Sequence, residues 1–117
     1  MKLSSVIFEG VRPVDSYGPG FFRIGDQVIE GGLVTSVKAT HKWQGYDDPQ
    51  PLLELADTVD VILLGTGSIV TAVPEEFRRV IEEASLRFDV MTSPSAARTY
   101  NVLVAEGRRV ALAAIAI

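Results

Sequence analysis

Cysteine is absent from this chain of 117 residues, and it contains one histidine and one tryptophan. Without cysteine there are no disulfides, no thiolate zinc ligands and no cysteine nucleophile. The absence fits a reducing compartment. Basic residues are also in deficit, 11 against 15 acidic ones, for a formal net charge of −4. No local basic stripe offsets that balance, so neither nucleic acid nor an anionic membrane is an expected partner. Long apolar runs are missing too. The longest, residues 110–117, falls far short of the ~20 residues that span a bilayer, and no membrane insertion is expected. The first nine residues show neither a signal-peptide apolar segment nor the Arg-rich character of a transit peptide, which makes cytoplasmic the expected location.

What remains is an ordinary globular balance, 47% hydrophobic and 22% charged, in a chain of a length that suits one domain over residues 1–117. Its organising stretch is Val61-Ile62-Leu63-Leu64-Gly65-Thr66-Gly67. Four bulky apolar residues without alternation suit a strand covered on both faces. The Gly-Thr-Gly that follows allows a sharp turn and a close approach by another group.

Ahead of that strand, Val6-Ile7-Phe8 reads as a first strand. Phe21 to Ile24 and Gln27 to Glu30 read as a hairpin closed by Gly25-Asp26, and Leu33 to Val37 reads as a further strand. This predicts an N-terminal antiparallel meander. Residues 38–51, with His41, Trp43 and Tyr46, read as a long polar connection, and residues 52–56 as a short helix. Beyond the central strand, Pro74 opens a helix in which Phe77, Val80, Ile81 and Ala84 share one face, while acidic and basic residues pair at i,i+4 on the other. Phe88 to Met91 is the next strand. Thr92 or Ser93 caps a second helix with Pro94 in its first turn, Gly107 ends it, and residues 110–117 form the last strand. The predicted class is therefore α/β: a single three-layer domain with a mixed, mostly parallel sheet, built from a β-α-β-α-β C-terminal half and the antiparallel N-terminal part.

The chemistry is sparse. Gly65-Thr66-Gly67-Ser68-Ile69-Val70 carries only the first two glycines of a dinucleotide fingerprint, and no acid ends the next strand. No lysine follows as a P-loop requires, and Ser68 does not sit in a nucleophile elbow. His41 lacks placed partners for catalysis, and Trp43 reads as an anchor for a partner or, more often, a cover for the sheet. No catalytic residue, metal ligand or cofactor is assigned. One positional argument points to a ligand: Gly65, Thr66, Gly67, Thr92 and Ser93 all lie at carboxyl ends of predicted strands, the edge where open α/β sheets bind ligands. The second group also opens a helix able to hold a small anion. Asn101 shares a helix face with Ala97 and Val104, so its amide points inward, either bracing the glycine turn or contacting a ligand. Tyr100 reads as core with its hydroxyl reaching the surface.

Taken in order, Leu63-Leu64-Gly65-Thr66-Gly67, Met91-Thr92, Ala96-Ala97, Tyr100-Asn101-Val102-Leu103 and Glu106-Gly107-Arg108-Arg109-Val110-Ala111 form a pattern that resembles domain-of-unknown-function family 498 over nearly the whole chain. The resemblance implies a compact three-layer α/β domain with a mixed sheet and no established enzymatic activity or cofactor. The family includes a mitochondrial assembly factor for respiratory complex I, so the resemblance also implies a protein partner of that kind. Two readings stand side by side. One is a non-enzymatic binding or assembly module, monomeric or weakly self-associating. The other is a small-anion binder or enzyme using the pocket at the strand ends.

Overall fold

The computed structural model describes residues 6–117, and the N-terminal reading of residues 1–5 lies outside them. The unalternated run becomes β7 (Val61–Gly65), buried from Ile62 onward. It lies between two parallel neighbours, β8 (Phe88–Met91) and β9 (Val110–Ala114), in register Leu64 with Val90 and with Ala113. β9 in turn pairs antiparallel with β5 (Gly32–Thr35), which pairs with β6 (Ala39–Trp43), which pairs with β1 (Val6–Glu9). The result is one mixed six-stranded sheet in the order β1-β6-β5-β9-β7-β8.

The fold class is the expected one, with a different balance inside the sheet: three pairings are antiparallel and two parallel. The cause is β5. Gly31, at φ +86°, turns the chain out of the N-terminal hairpin so that β5 joins β9 instead of extending the meander. The meander is therefore split. β2 (Ser16–Gly18), β3 (Phe21–Ile24) and β4 (Gln27–Glu30) form a separate three-stranded antiparallel sheet. Its Gly25-Asp26 turn is the expected two-residue connection, with Ile24 opposite Gln27 and Gly25 at φ +59°.

A second correction concerns residues 38–51, which contain β6. The polar His41 and Lys42 hide the strand pattern, yet Thr40 and Trp43 are buried on opposite faces. Ser36 makes the connection short. Its N–H donates to the Ala39 carbonyl at 3.0 Å, and its hydroxyl accepts from Lys38 N–H at 3.1 Å, a local side-chain turn.

Successive residues of a strand face opposite sides, and β7 and β9 feed two cores. Ile62, Leu64, Ala111 and Ala113 meet α1 (Gln50–Leu53) and α2 (Glu75–Glu83) through Leu52, Phe77 and Ile81. Leu63, Leu112 and Ala114 meet α3 (Ser93–Ala105) through Ala96, Ala97 and Tyr100, and the small sheet through Phe22, Ile24 and Ile29. Each large apolar side chain buried this way contributes about 1.5–3 kcal/mol. That matters for α2, whose nine residues are too few to be stable alone. On its outer face Arg79 bridges Glu83 at 3.4 Å and Glu76 at 3.1 Å, exposed pairs contributing a few tenths of a kcal/mol.

Candidate functional site

Because β7 and β8 are parallel, Gly65 and Met91 end their strands side by side. The structure thus brings Gly65, Thr66, Gly67, Thr92 and Ser93 together at one edge of the sheet. What they bind there is chiefly each other. Ser93 is fully buried, and its hydroxyl accepts from Gly67 N–H at 2.9 Å while donating to the Ile115 carbonyl. Ser93 N–H donates to the Gly67 carbonyl at 2.8 Å. Thr66 N–H donates to the Met91 carbonyl at 3.0 Å, and Ile115 N–H to the Gly65 carbonyl at 3.0 Å. The Thr66 hydroxyl donates to the Ile69 carbonyl at 2.8 Å and accepts from Thr71 N–H at 3.2 Å.

Two glycines are needed here for different reasons. Gly67 sits at φ +105°, a backbone region that side chains disfavour. Gly65 has no room: a Cβ there would lie 2.6 Å from Ser93 Cα and 2.7 Å from Ser93 Oγ. The close approach that the turn permits is therefore made by the start of α3 itself.

The donors at that helix start are also engaged. Thr92 is the N-cap and its hydroxyl accepts from Ser95 N–H at 3.3 Å. Ser93 N–H is held by Gly67, Pro94 has none, and Ala96 N–H donates to the Thr92 carbonyl at 2.8 Å. An anion at this terminus would have to displace a bond the fold already makes.

Asn101 stands apart from this cluster. Eight residues beyond Ser93 along α3, it lies ~12 Å away by helix rise, too far to brace the glycine turn. Its carboxamide braces another segment instead: Oδ1 accepts from Val14 N–H at 2.9 Å, and Nδ2 donates to the Val14 carbonyl at 2.8 Å. The amide thus pairs with the backbone as a neighbouring strand would, tying α3 to the chain just before β2. Asn101→Ala should cost about 1–3 kcal/mol in urea unfolding by stripping both Val14 groups of their partner. Asn101→Asp should do no better, because a carboxylate oxygen then faces the Val14 carbonyl. A loss below ~0.5 kcal/mol for the alanine variant would contradict the bracing role.

Tyr100 is buried as expected, but its hydroxyl does not reach the surface. It is sealed beside the Thr35 and Thr40 hydroxyls, which pair with each other at 2.6 Å, and makes no hydrogen bond of normal geometry. Burial pushes its phenol above the ordinary value near 10, with Thr35 pulling less strongly the other way. Trp43 does cover the sheet: its Nε1–H donates to the Asp48 carbonyl at 2.9 Å, and its ring packs on Tyr46 and Phe77.

One feature of this region carries no motif. Past the glycine turn, residues 68–72 are all exposed, and two of them, Ile69 and Val70, are large and apolar at 67% and 59% exposure. The signal in the sequence is an apolar pair set between Ser68 and Thr71. Nothing in it says that the pair points outward, because apolar residues after a glycine turn as readily begin a buried element. Among the described residues no cluster of acidic and histidine side chains is arranged for a metal ion, and no helix is long and apolar enough to cross a membrane.

The family described as proteins of unknown function, DUF498/DUF598, matches residues 14–115. An uncharacterised protein of Rhodobacter capsulatus is 43% identical over 106 residues, 91% of this chain and 86% of that one. The crystal structure of an outer membrane protein from Bartonella henselae superposes with a TM-score of 0.83 at 35% identity, covering 93% of this chain and 98% of that one. A Mth938-like domain from Bordetella pertussis shares the fold, with a TM-score of 0.72 at 23% identity and coverage of 98% and 92%.

Proposed function

We propose, from the premise that this chain belongs to the DUF498/DUF598 family of unknown function, that it is a non-enzymatic binding or assembly module whose partner is a protein. The observation that carries this reading is the loop at residues 68–72. Ile69 and Val70 are turned to solvent, and the loop that carries them is held by the Thr66 hydroxyl at both Ile69 and Thr71. Scattered exposed apolar residues need no explanation. An adjacent pair on a pinned loop differs, because a preorganised apolar contact loses little entropy on docking. The Ser93 and Thr66 hydroxyls are engaged within the fold, which supports contact through a surface over capture of a ligand at this strand end. A small-anion site on Gly65, Thr66, Gly67, Thr92 and Ser93 would require Ser93 or Thr66 to give up the bonds described above. The same proposal places the domain in the cytoplasm as a monomer or weak homo-oligomer, with the complex I assembly factor of the family as the analogy for its kind of partner.

Affinity capture from native lysate, with wild type and an Ile69→Ser/Val70→Ser double variant as baits, tests the reading. Wild type should retain a stoichiometric protein, and the variant should lose it by at least about tenfold while unfolding within ~0.5 kcal/mol of wild type. Recovery of the same partner by both baits, or of none by wild type, would overturn it.

A further inference from the structure

On the face of the sheet that carries α1, a cavity of about 210 Å³ opens between the β5–β6 turn and the end of that helix. Its floor is apolar, from Val34 and Leu55, and its polar groups are Ser36, Lys38, His41 and Glu54. The ladder explains their meeting. Val34 pairs with His41 across β5 and β6, so both side chains point to the same face, and Ser36 follows Val34 by two residues.

Three of the polar groups have a hydrogen left to donate. His41 Nδ1 is sealed from solvent and has no hydrogen-bond partner. A buried N–H without an acceptor is more costly than an unfilled lone pair, so in the neutral ring the proton belongs on Nε2, and Nδ1 keeps the unfilled lone pair. The Ser36 hydroxyl accepts from Lys38 N–H at 3.1 Å, which leaves its own hydrogen to donate. The Lys38 ammonium makes no ion pair among the described residues. Three donors, one of them charged, thus border one small apolar-floored space. Glu54, exposed and within 3.5 Å of Gln50 Nε2, sits on the opposite wall and repels a dianion more strongly than a monoanion.

We infer that this cavity is a binding site for a small monocarboxylate with a short apolar stem. The carboxylate meets Ser36, Lys38 and His41 Nε2–H, and the stem lies on Val34 and Leu55. The volume is below the ~300 Å³ at which drug-sized pockets begin, so the ligand has only a few carbon atoms. A dianionic phosphate is disfavoured by Glu54, and a larger cofactor is excluded by size. The inference is independent of the proposed protein partner, since none of these residues belongs to the loop at 68–72.

Titration with sodium butyrate at constant ionic strength, read by backbone amide chemical shifts, tests it, with 1-butanol as the uncharged counterpart. Saturable shifts confined to residues 34–41 and 54–55 are expected for butyrate and not for 1-butanol. Lys38→Met, an exposed substitution that leaves the fold alone, should weaken binding about tenfold. His41→Phe should abolish it while melting no lower than wild type, because a ring still fills the position and the unpaired nitrogen is gone. His41→Gln should restore part of it through its amide N–H. An unsaturable response, equal shifts from 1-butanol, or wild-type titration by both Lys38→Met and His41→Phe would overturn the assignment.

Discussion

Gly65→Ala is expected to destabilise the domain by about 3 kcal/mol or more, the upper end of what overpacking does. The added methyl meets backbone as well as a side chain. Ser93 Cα would stand at 2.6 Å, and it cannot rotate away. To make room the start of α3 must leave the end of β7, which pulls Ser93 Oγ off Gly67 N–H and the Ile115 carbonyl. Urea unfolding should show a midpoint lowered by more than about 1 M at unchanged slope. A loss below ~1 kcal/mol would mean that α3 yields easily and that the strand end is not a tight contact.

Ser93→Ala should have the next largest effect, about 2–4 kcal/mol, by a different mechanism. Nothing clashes, and alanine is a good helix residue. The loss arises because one fully buried hydroxyl serves two backbone groups. Its removal leaves Gly67 N–H and the Ile115 carbonyl unpaired, and an unsatisfied buried group costs about 1–3 kcal/mol. The two substitutions should be non-additive. Gly65→Ala already separates Ser93 from its partners and also clashes with its Oγ, so the double variant should lose less than the sum of the singles. Simple additivity would show that the two residues do not share one contact, contrary to the geometry.

Much of this arrangement is legible in the sequence where local chemistry decides it. The unalternated Val61-Ile62-Leu63-Leu64 marks a strand buried on both faces, Thr92 and Pro94 mark a helix start, and Gly25-Asp26 marks a hairpin. All three hold in the structure. The family is legible as well, from motifs spread over the chain. What escapes the sequence depends on distant partners. β6 looks like a loop because His41 and Lys42 are polar, and only its neighbours on both sides make it a strand. The inward turn of Asn101 follows from helix periodicity, but its partner Val14 is 87 residues away, and no local rule connects them. Position at a strand carboxyl end puts Gly65 and Ser93 at one edge of the sheet. It does not say whether a ligand or the chain's own atoms will fill the space between them.

That last point is the centre of the account: the glycine turn is a closed contact that anchors an exposed loop. Native-state amide hydrogen exchange at Thr66 and Gly67 tests it most directly. Both N–H groups are committed inside the fold, to the Met91 carbonyl and to Ser93 Oγ. Their exchange should therefore require unfolding at or near the global free energy, alongside the amides of β7 and β9. A turn kept open for a ligand would exchange through local motion. Little protection at Thr66 and Gly67, in a domain whose β7 and β9 amides remain fully protected, would contradict the account.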